Sequence, residues 1–264
     1  MESGTERIIA RKDGCIGWMI FNNPERRNAI SSDMWQAIPG VLDAFEQDAE
    51  VRVVVFAGAG DKAFVSGADI SQFERERNNH AANELYSARS VAATRAMEQL
   101  QKPSIAMIRG YCMGGGMVVA LTCDLRIASD DARFGIPAAR LGLGYGFEGV
   151  QRLIDVVGPT YASEILFSAR QFDAEEAQRM SLINKVVAVS DLESSVRAYA
   201  DMLSANAPLT IRAAKLAIKQ ALKDPARRNL DDVKAAVAAC FESADYAEGR
   251  RAFLEKRKPH FEGK

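Results

Sequence analysis

Two short stretches of this chain combine residue types that can stabilise negative charge on an oxygen atom. Lys62-Ala-Phe-Val-Ser-Gly-Ala-Asp-Ile-Ser71 follows an apolar run and sets Gly67 beside Ala68 in a tight turn. Such a turn frees backbone N–H groups from sheet pairing and can aim them at an anion. Arg109-Gly-Tyr-Cys-Met-Gly-Gly-Gly-Met117 also follows an apolar run, and it opens a short apolar helix. Its glycines let a substrate approach the backbone, and a helix N-terminus carries unpaired N–H donors with partial positive charge. Two such turns on separate strands can direct one N–H each at a single oxygen. That arrangement stabilises an enolate or a tetrahedral oxyanion, by roughly 3 kcal/mol for each donor. Taken alone, a glycine triplet before a helix also serves close helix–strand packing. It is not a dinucleotide fingerprint, since the G-x-G-x-x-G spacing and a P-loop lysine are both missing.

The elements that position these turns follow from hydrophobic periodicity. Glu6–Lys12 and Cys15–Phe21 read as strands joined by a hairpin turn at Asp13-Gly14. A helix is expected from about Ser32 to Asp48, because Trp35, Ile38, Leu42 and Phe45 recur at helical spacing; Pro39 marks a kink or a late start. Val51–Ala57 is a continuous apolar run of buried-strand type. A long polar helix over about 79–101, a strand Ser104–Ile108, an apolar helix Met117–Leu121 and a strand Asp124–Ala128 follow. Helices are expected at Phe147–Val157 and Thr160–Ser168, and Asp173-Ala-Glu-Glu176 reads as a capping box opening another. Lys185–Val189 is the last strand. From Asp191 the pattern is wholly helical, near 191–204, 208–222, 229–243 and 245–258. The expected organisation is an α/β core over 1–190 and a helical region over 191–264 that packs on the core or on a neighbouring subunit.

Composition narrows the function classes. The formal net charge is −1, so no basic field attracts nucleic acid or a membrane surface. No apolar run approaches the length of a bilayer span, and the N-terminus lacks the apolar stretch of a secretory signal. Cys15, Cys112, Cys123 and Cys240 form no CxxC pair, and with only His80 and His260 beside them neither a metal site nor a disulfide framework is expected. A cytoplasmic enzyme or binding protein is the resulting expectation.

Several motifs, in one order, resemble those of the crotonase (enoyl-CoA hydratase/isomerase) superfamily. They are Asn-Pro-Glu-Arg-Arg-Asn-Ala (23–29), Ala-Phe-Val-Ser-Gly-Ala-Asp-Ile (63–70), Gly-Tyr-Cys-Met-Gly-Gly-Gly (110–116), Cys-Asp-Leu-Arg-Ile-Ala (123–128) and Ala-Phe-Leu-Glu-Lys-Arg-Lys-Pro (252–259). The resemblance implies a crotonase-type spiral of ββα units with a C-terminal helical trimerisation region, in a homotrimer or a dimer of trimers. It implies an acyl-CoA thioester substrate, coenzyme A being part of the substrate and no separate cofactor being needed. The N–H groups of Ala68 and Gly115 would form the oxyanion hole. Ser66, Ala68, Asp69, Ile70 and Ser71 would lie along the pantetheine and adenine, Arg26 would meet the phosphates, and Phe253 and Lys256 would reach CoA from the tail.

The chain departs from a hydratase of that family at two positions. Such hydratases hold the water with two glutamates. The positions that match them, two residues beyond the last glycine and four beyond Phe134, are Val118 and Ala138. Syn addition of water needs a base for the water and an acid for the α-carbon, and neither apolar residue serves. Lyase or isomerase chemistry through an enolate is therefore expected in place of hydration. Tyr145, in the loop Leu141–Gly149, matches a tyrosine of the methylmalonyl-CoA decarboxylase branch that orients a substrate carboxylate, although that branch carries histidine where this chain has Ala68. Glu148, the one carboxylate of that loop, is a candidate base for isomerisation, or simply complements a helix dipole. A CoA-binding scaffold without catalysis and a hydratase with a non-standard acid/base are the alternatives.

Overall fold

The computed structural model describes residues 4–69 and 80–264. Strands β1 (Ile8–Asp13) and β2 (Ile16–Phe21) pair antiparallel with Asp13 opposite Ile16. The hairpin turn is therefore Gly14-Cys15, one residue later than expected. Gly14 takes the left-handed conformation there (φ 58°), the role for which glycine is favoured.

Helix α1 (Ser32–Gln47) buries Met34, Trp35, Ile38, Val41, Leu42 and Phe45 and runs through Pro39. Strands β3 (Val53–Gly58) and β4 (Ala63–Val65), then helix α2 (His80–Gln99), form the first strand–strand–helix unit. Strands β5 (Ser104–Ile108) and β6 (Tyr111–Met113) with helix α3 (Gly115–Thr122) form the second. Strands β7 (Leu125–Ser129) and β8 (Arg133–Gly135) precede a 3-10 turn, Pro137–Leu141, and helix α4 (Phe147–Ser168). Helix α4 breaks at Gly158, whose φ of 73° and ψ of 168° are not helical; the break falls between the two helices expected from sequence.

Each unit gives its first strand to one sheet and its second to another. The six-stranded sheet runs β1-β2-β3-β5-β7-β10 and the four-stranded sheet β4-β6-β8-β9, with β9 at Phe172–Asp173 and β10 at Lys185–Val187. This is the ββα spiral.

The apolar run at β3 has a direct explanation in that layering. Val54 and Phe56 face one core cluster, while Val53, Val55 and Ala57 face another on the opposite side of the sheet. With both faces covered, alternation of polar and apolar residues disappears. The second cluster is closed by Leu192, Val196 and Ala200 of helix α6 (Leu192–Ser204), so the first helix beyond residue 190 completes the sheet's outer layer. Helix α5 (Ala174–Arg179) begins at Asp173, whose Oδ1 accepts from the Glu176 amide at 2.8 Å, as the capping box requires.

Helices α7 (Pro208–Ala221), α8 (Leu230–Glu242) and α9 (Ala244–Leu254) complete the chain; α9 stops four residues short of the expected 258. Among the described residues no helix is long and apolar enough to cross a membrane.

Two lysines of α7 dock it on the core. Lys215 Nζ donates to Asp124 Oδ2 at 2.6 Å and to the Lys102 carbonyl at 2.9 Å. Lys219 Nζ donates to the Glu98 carbonyl and, at 3.1 Å, to that of Leu100, satisfying acceptors at the end of α2. Burial lowers Lys219 from 10.5 to about 8. The unfolded chain keeps that proton up to the higher value while the folded chain releases it near the lower one. Between the two the unfolded state binds more protons, so the penalty of the buried charge is relieved as pH rises through this window. Relative to Lys219→Met, the wild type should gain stability in urea titrations from pH 8 to 10.5; a pH-independent difference would refute a buried, charged amine.

Candidate active site

The short strands β4 and β6 are neighbours in the four-stranded sheet and run parallel. Both glycine-bearing turns therefore leave the same edge of the same layer. Gly67 has φ 119° and Gly114 φ 49°, both in the range that disfavours a side chain.

The first turn is held by Ile30, whose N–H donates to the Gly67 carbonyl (2.8 Å) and whose carbonyl accepts from the Asp69 amide (3.0 Å). This is a parallel bridge between Ile30 and Ala68, and in such a bridge the N–H of the paired residue itself points the other way. Ala68 thus presents its N–H away from Ile30. The second turn is held by the Gly114 amide, which donates to the Gly135 carbonyl at 2.9 Å. Gly115 is the first residue of α3, where a helix provides no acceptor for its N–H.

The two turns touch. A Cβ placed on Gly115 would lie 3.5 Å from the Gly67 carbonyl carbon and 3.7 Å from the Ala68 nitrogen, and one on Gly67 would lie 4.0 Å from the Gly115 nitrogen. What brings them this close is Gly116, where a Cβ would sit 2.1 Å from the Val65 carbonyl oxygen. Helix α3 rests directly on strand β4 through that bare backbone.

Two buried side chains that sequence reasoning left without a role brace this arrangement. Asn28 is fully buried at φ 56°, a left-handed conformation that asparagine tolerates better than most residues. Its Nδ2 donates to the carbonyls of Ala59 (2.9 Å) and Ala63 (2.8 Å), and its Oδ1 accepts from the Asn23 amide (3.0 Å). It thereby locks the Asn23–Ala29 loop to the start of β4. Arg126, 7 % exposed, donates from Nε to the Leu182 carbonyl (2.6 Å) and from Nη1 to that of Cys123 (2.6 Å) and, at 3.3 Å, Ala120. The guanidinium closes the C-terminal end of α3, favourable both for orphan carbonyls and for the helix dipole. Asn28 lay inside a motif already singled out, but only its left-handed backbone gives it this role.

The expected site residues divide into those the fold brings together and those it leaves apart. Ser66 donates its Oγ to the Arg26 carbonyl at 3.3 Å and its N–H to that of Arg27 at 3.1 Å, which joins Arg26, Ser66 and Ala68 in one loop cluster. Arg26 is exposed, and Asp69 is 7 % exposed with its amide on Ile30. Ile70 and Ser71 lie outside the described residues. Val118 sits one turn along α3 from Gly115, and Ala138 is 8 % exposed within the core cluster. Arg27, not among the expected contacts, stacks over Tyr111 (5.0 Å) and with Lys62 lines a cavity of about 450 Å³ beside this loop.

Tyr145 packs against the core cluster with its ring over Gly149, where a Cβ would lie 2.7 Å from Cε1. Its hydroxyl is buried with no hydrogen-bond partner among the described residues, and burial pushes the phenol above its ordinary value. Glu148 is exposed in the first turn of α4, with Oε2 folded back to 3.7 Å from where a Gly146 Cβ would be. Cys112 and Cys123 are buried, and burial raises both thiols, that of Cys123 to about 12, so neither supplies a thiolate. Phe253 and Lys256 are exposed at the end of α9. Among the described residues no group of acidic, histidine or cysteine side chains is arranged to hold a metal.

The profile of the enoyl-CoA hydratase/isomerase family matches residues 11–264. The chain belongs to that family. It is 37 % identical over 251 residues to a short-chain-enoyl-CoA hydratase of Clostridium acetobutylicum, covering 95 % of each protein. It is 36 % identical to a crotonyl-CoA hydratase of Syntrophomonas wolfei, covering 97 % of this chain and 98 % of the relative. An enoyl-CoA hydratase from Bacillus anthracis, 30 % identical, superposes with a TM-score of 0.92 over 98 % of this chain and all of the other (100 %). The ββα spiral is thus that of the crotonase fold, and the chain belongs to a family of enzymes.

Gly116 makes the geometry testable. Gly116→Ala forces a methyl group onto the Val65 carbonyl and should destabilise the protein by about 2 kcal/mol or more. Urea unfolding measures this; a change below about 0.5 kcal/mol would mean that the helix does not rest on the strand.

Proposed function

We propose that this protein is an acyl-CoA enzyme that holds its thioester carbonyl on the Ala68 and Gly115 N–H groups and works through an enolate, with decarboxylation of a malonyl-type thioester as its reaction. The observation that carries this reading is the meeting of two donor-bearing turns in a chain with apolar residues at the positions that match the family's two glutamates. Val118, one turn from Gly115, and buried Ala138 offer no acid or base. Decarboxylation needs no base to begin. The bond from the α-carbon to the carboxylate breaks, CO2 leaves, and the electron pair passes into the thioester, where the enolate oxygen meets the two N–H donors. One proton, delivered from water, then returns to the α-carbon and yields the shortened acyl-CoA.

Tyr145 is assigned the role of orienting the substrate carboxylate by its match to the decarboxylase branch; its buried hydroxyl has no partner among the described residues, and its raised pKa keeps it a donor. Glu148 suits isomerisation less well: it is exposed and folded back on the helix start. In this reading coenzyme A is part of the substrate and no other cofactor is required. Arg26, Ser66, Asp69, Ile70 and Ser71 accompany the CoA moiety from the loop side, and Phe253 and Lys256 from the tail. The assembly is a homotrimer or a dimer of trimers, consistent with the exposed Leu230, Phe241, Phe253 and Leu254 of the last two helices.

A second reading, hydration with a non-standard acid and base, is favoured by the hydratase names of the relatives. The two are separated by incubating the enzyme with crotonyl-CoA, a 3-enoyl-CoA, malonyl-CoA and methylmalonyl-CoA and following products by mass. The expected result is loss of CO2 from a malonyl-type substrate, lowered roughly 10- to 100-fold in kcat/KM by Tyr145→Phe and unchanged by Glu148→Gln. The rate should not decline between about pH 7 and 9, since Tyr145 stays protonated throughout. Robust hydration of crotonyl-CoA would overturn the decarboxylase reading. Binding of acyl-CoA without turnover would replace it with a CoA-binding scaffold.

A further inference from the structure

Helix α9 ends in a corner that exposes Phe253 (83 %) and Leu254 (80 %) and then turns at Lys256. The Arg257 amide donates to the Ala252 carbonyl at 3.0 Å and the Lys256 amide to that of Phe253 at 3.3 Å, the pair of bonds that defines a Schellman turn. Glycine normally fills the left-handed position of that turn; here Lys256 occupies it at φ 53°. A lysine is therefore held in a backbone conformation that side chains rarely adopt, at the residue assigned above to CoA.

Among the described residues, apolar burial contributes little to this corner. Helix α8 has no buried residue, and α9 buries only Asp245 and Ala252. The chain beyond the corner instead turns back along α9 and is gripped by two of its carboxylates. Glu248 accepts from Arg251 Nη2 (2.7 Å), from Arg257 Nη1 (2.6 Å) and Nη2 (2.9 Å), and from the His260 amide (3.0 Å). Asp245, 3 % exposed, accepts from the amides of Glu262 (2.7 Å) and Gly263 (2.8 Å). The Lys264 carbonyl in turn accepts from the Ala244 amide (2.7 Å), in the first turn of the helix. The returning segment is tied to the core at one more point. Arg52, just ahead of β3, donates from Nη2 to the Phe261 carbonyl at 3.0 Å.

We infer that residues 257–264, clasped by Glu248 and Asp245 and tied to the core by Arg52, position the Phe253–Lys256 corner for the nucleotide half of a CoA thioester. The inference rests on the assignment of Phe253 and Lys256 to CoA. Glu248, Asp245 and Arg52 are positioning residues, acting through the corner and not on the reacting atoms. Bidentate pairing of Arg257 with Glu248 restrains the residue that follows Lys256, so the ammonium is delivered from a fixed turn and not from a frayed helix end.

The test compares two ligands that share an acyl thioester and differ in the nucleotide, butyryl-CoA and butyryl-pantetheine, by calorimetric titration of the full chain. Glu248→Gln and Arg52→Met should each weaken butyryl-CoA roughly 5- to 10-fold while leaving butyryl-pantetheine within about twofold. Arg52→Lys, which keeps a donor, should recover part of the loss. Equal weakening of both ligands would reduce the clasp to a general structural element and overturn the inference. So would unchanged butyryl-CoA affinity in both variants when Lys256→Ala itself weakens it. If Lys256→Ala leaves butyryl-CoA affinity unchanged, the assignment of the corner to CoA fails first and the inference falls with it.

Discussion

The structure depends on one backbone contact, the seating of helix α3 on the Val65 carbonyl at Gly116. A Cβ there would lie 2.1 Å from that oxygen, so helix and strand approach as closely as bare backbones allow. Because α3 follows β6 and Val65 ends β4, the contact fixes the two glycine turns against each other across the sheet edge. An oxyanion is stabilised only by donors already in place when charge develops, and in the proposed oxyanion hole this contact would set the spacing between the Ala68 and Gly115 amides without a side chain of either taking part.

Rigidity then spreads outward from that point. Asn28 joins the loop before α1 to both ends of the turn between β3 and β4, while Arg126 closes the far end of α3 against the Leu182 carbonyl. Each satisfies several buried carbonyls with one side chain, so loss of either leaves acceptors unpaired in the interior. The layered sheets supply the remainder: β3 fills two core clusters with alternate residues, and α6 seals the outer one.

The proposed chemistry rests on what is missing at the two positions that match the family's glutamates as much as on the two backbone donors. In the proposed reaction, apolar Val118 and buried Ala138 supply no acid or base, and the developing negative charge would rest on the backbone amides. Tyr145, whose buried hydroxyl has no partner among the described residues, is the proposed further donor. A buried hydroxyl without a partner is costly in an isolated protein.

Residue patterns alone determined the α/β core, the helical C-terminal region, the span of β5, the presence of α2, the capping box at Asp173 and the two glycine turns. These are local signals: periodicity, caps and turn residues act within a few positions of one another. The hairpin turn and the end of α9 came out shifted, because pairing register and the Schellman turn at Lys256 depend on contacts a short window does not contain. The strands β4 and β6, three residues each, are too short to carry a period, although the whole four-stranded sheet is built on them. Only the tertiary structure decided that both turns leave one edge of one sheet, that Asn28 and Arg126 brace them, and that the chain after α9 folds back onto Asp245 and Glu248. Residues far apart in sequence meet through these contacts, and nothing in the type of either partner announces the other.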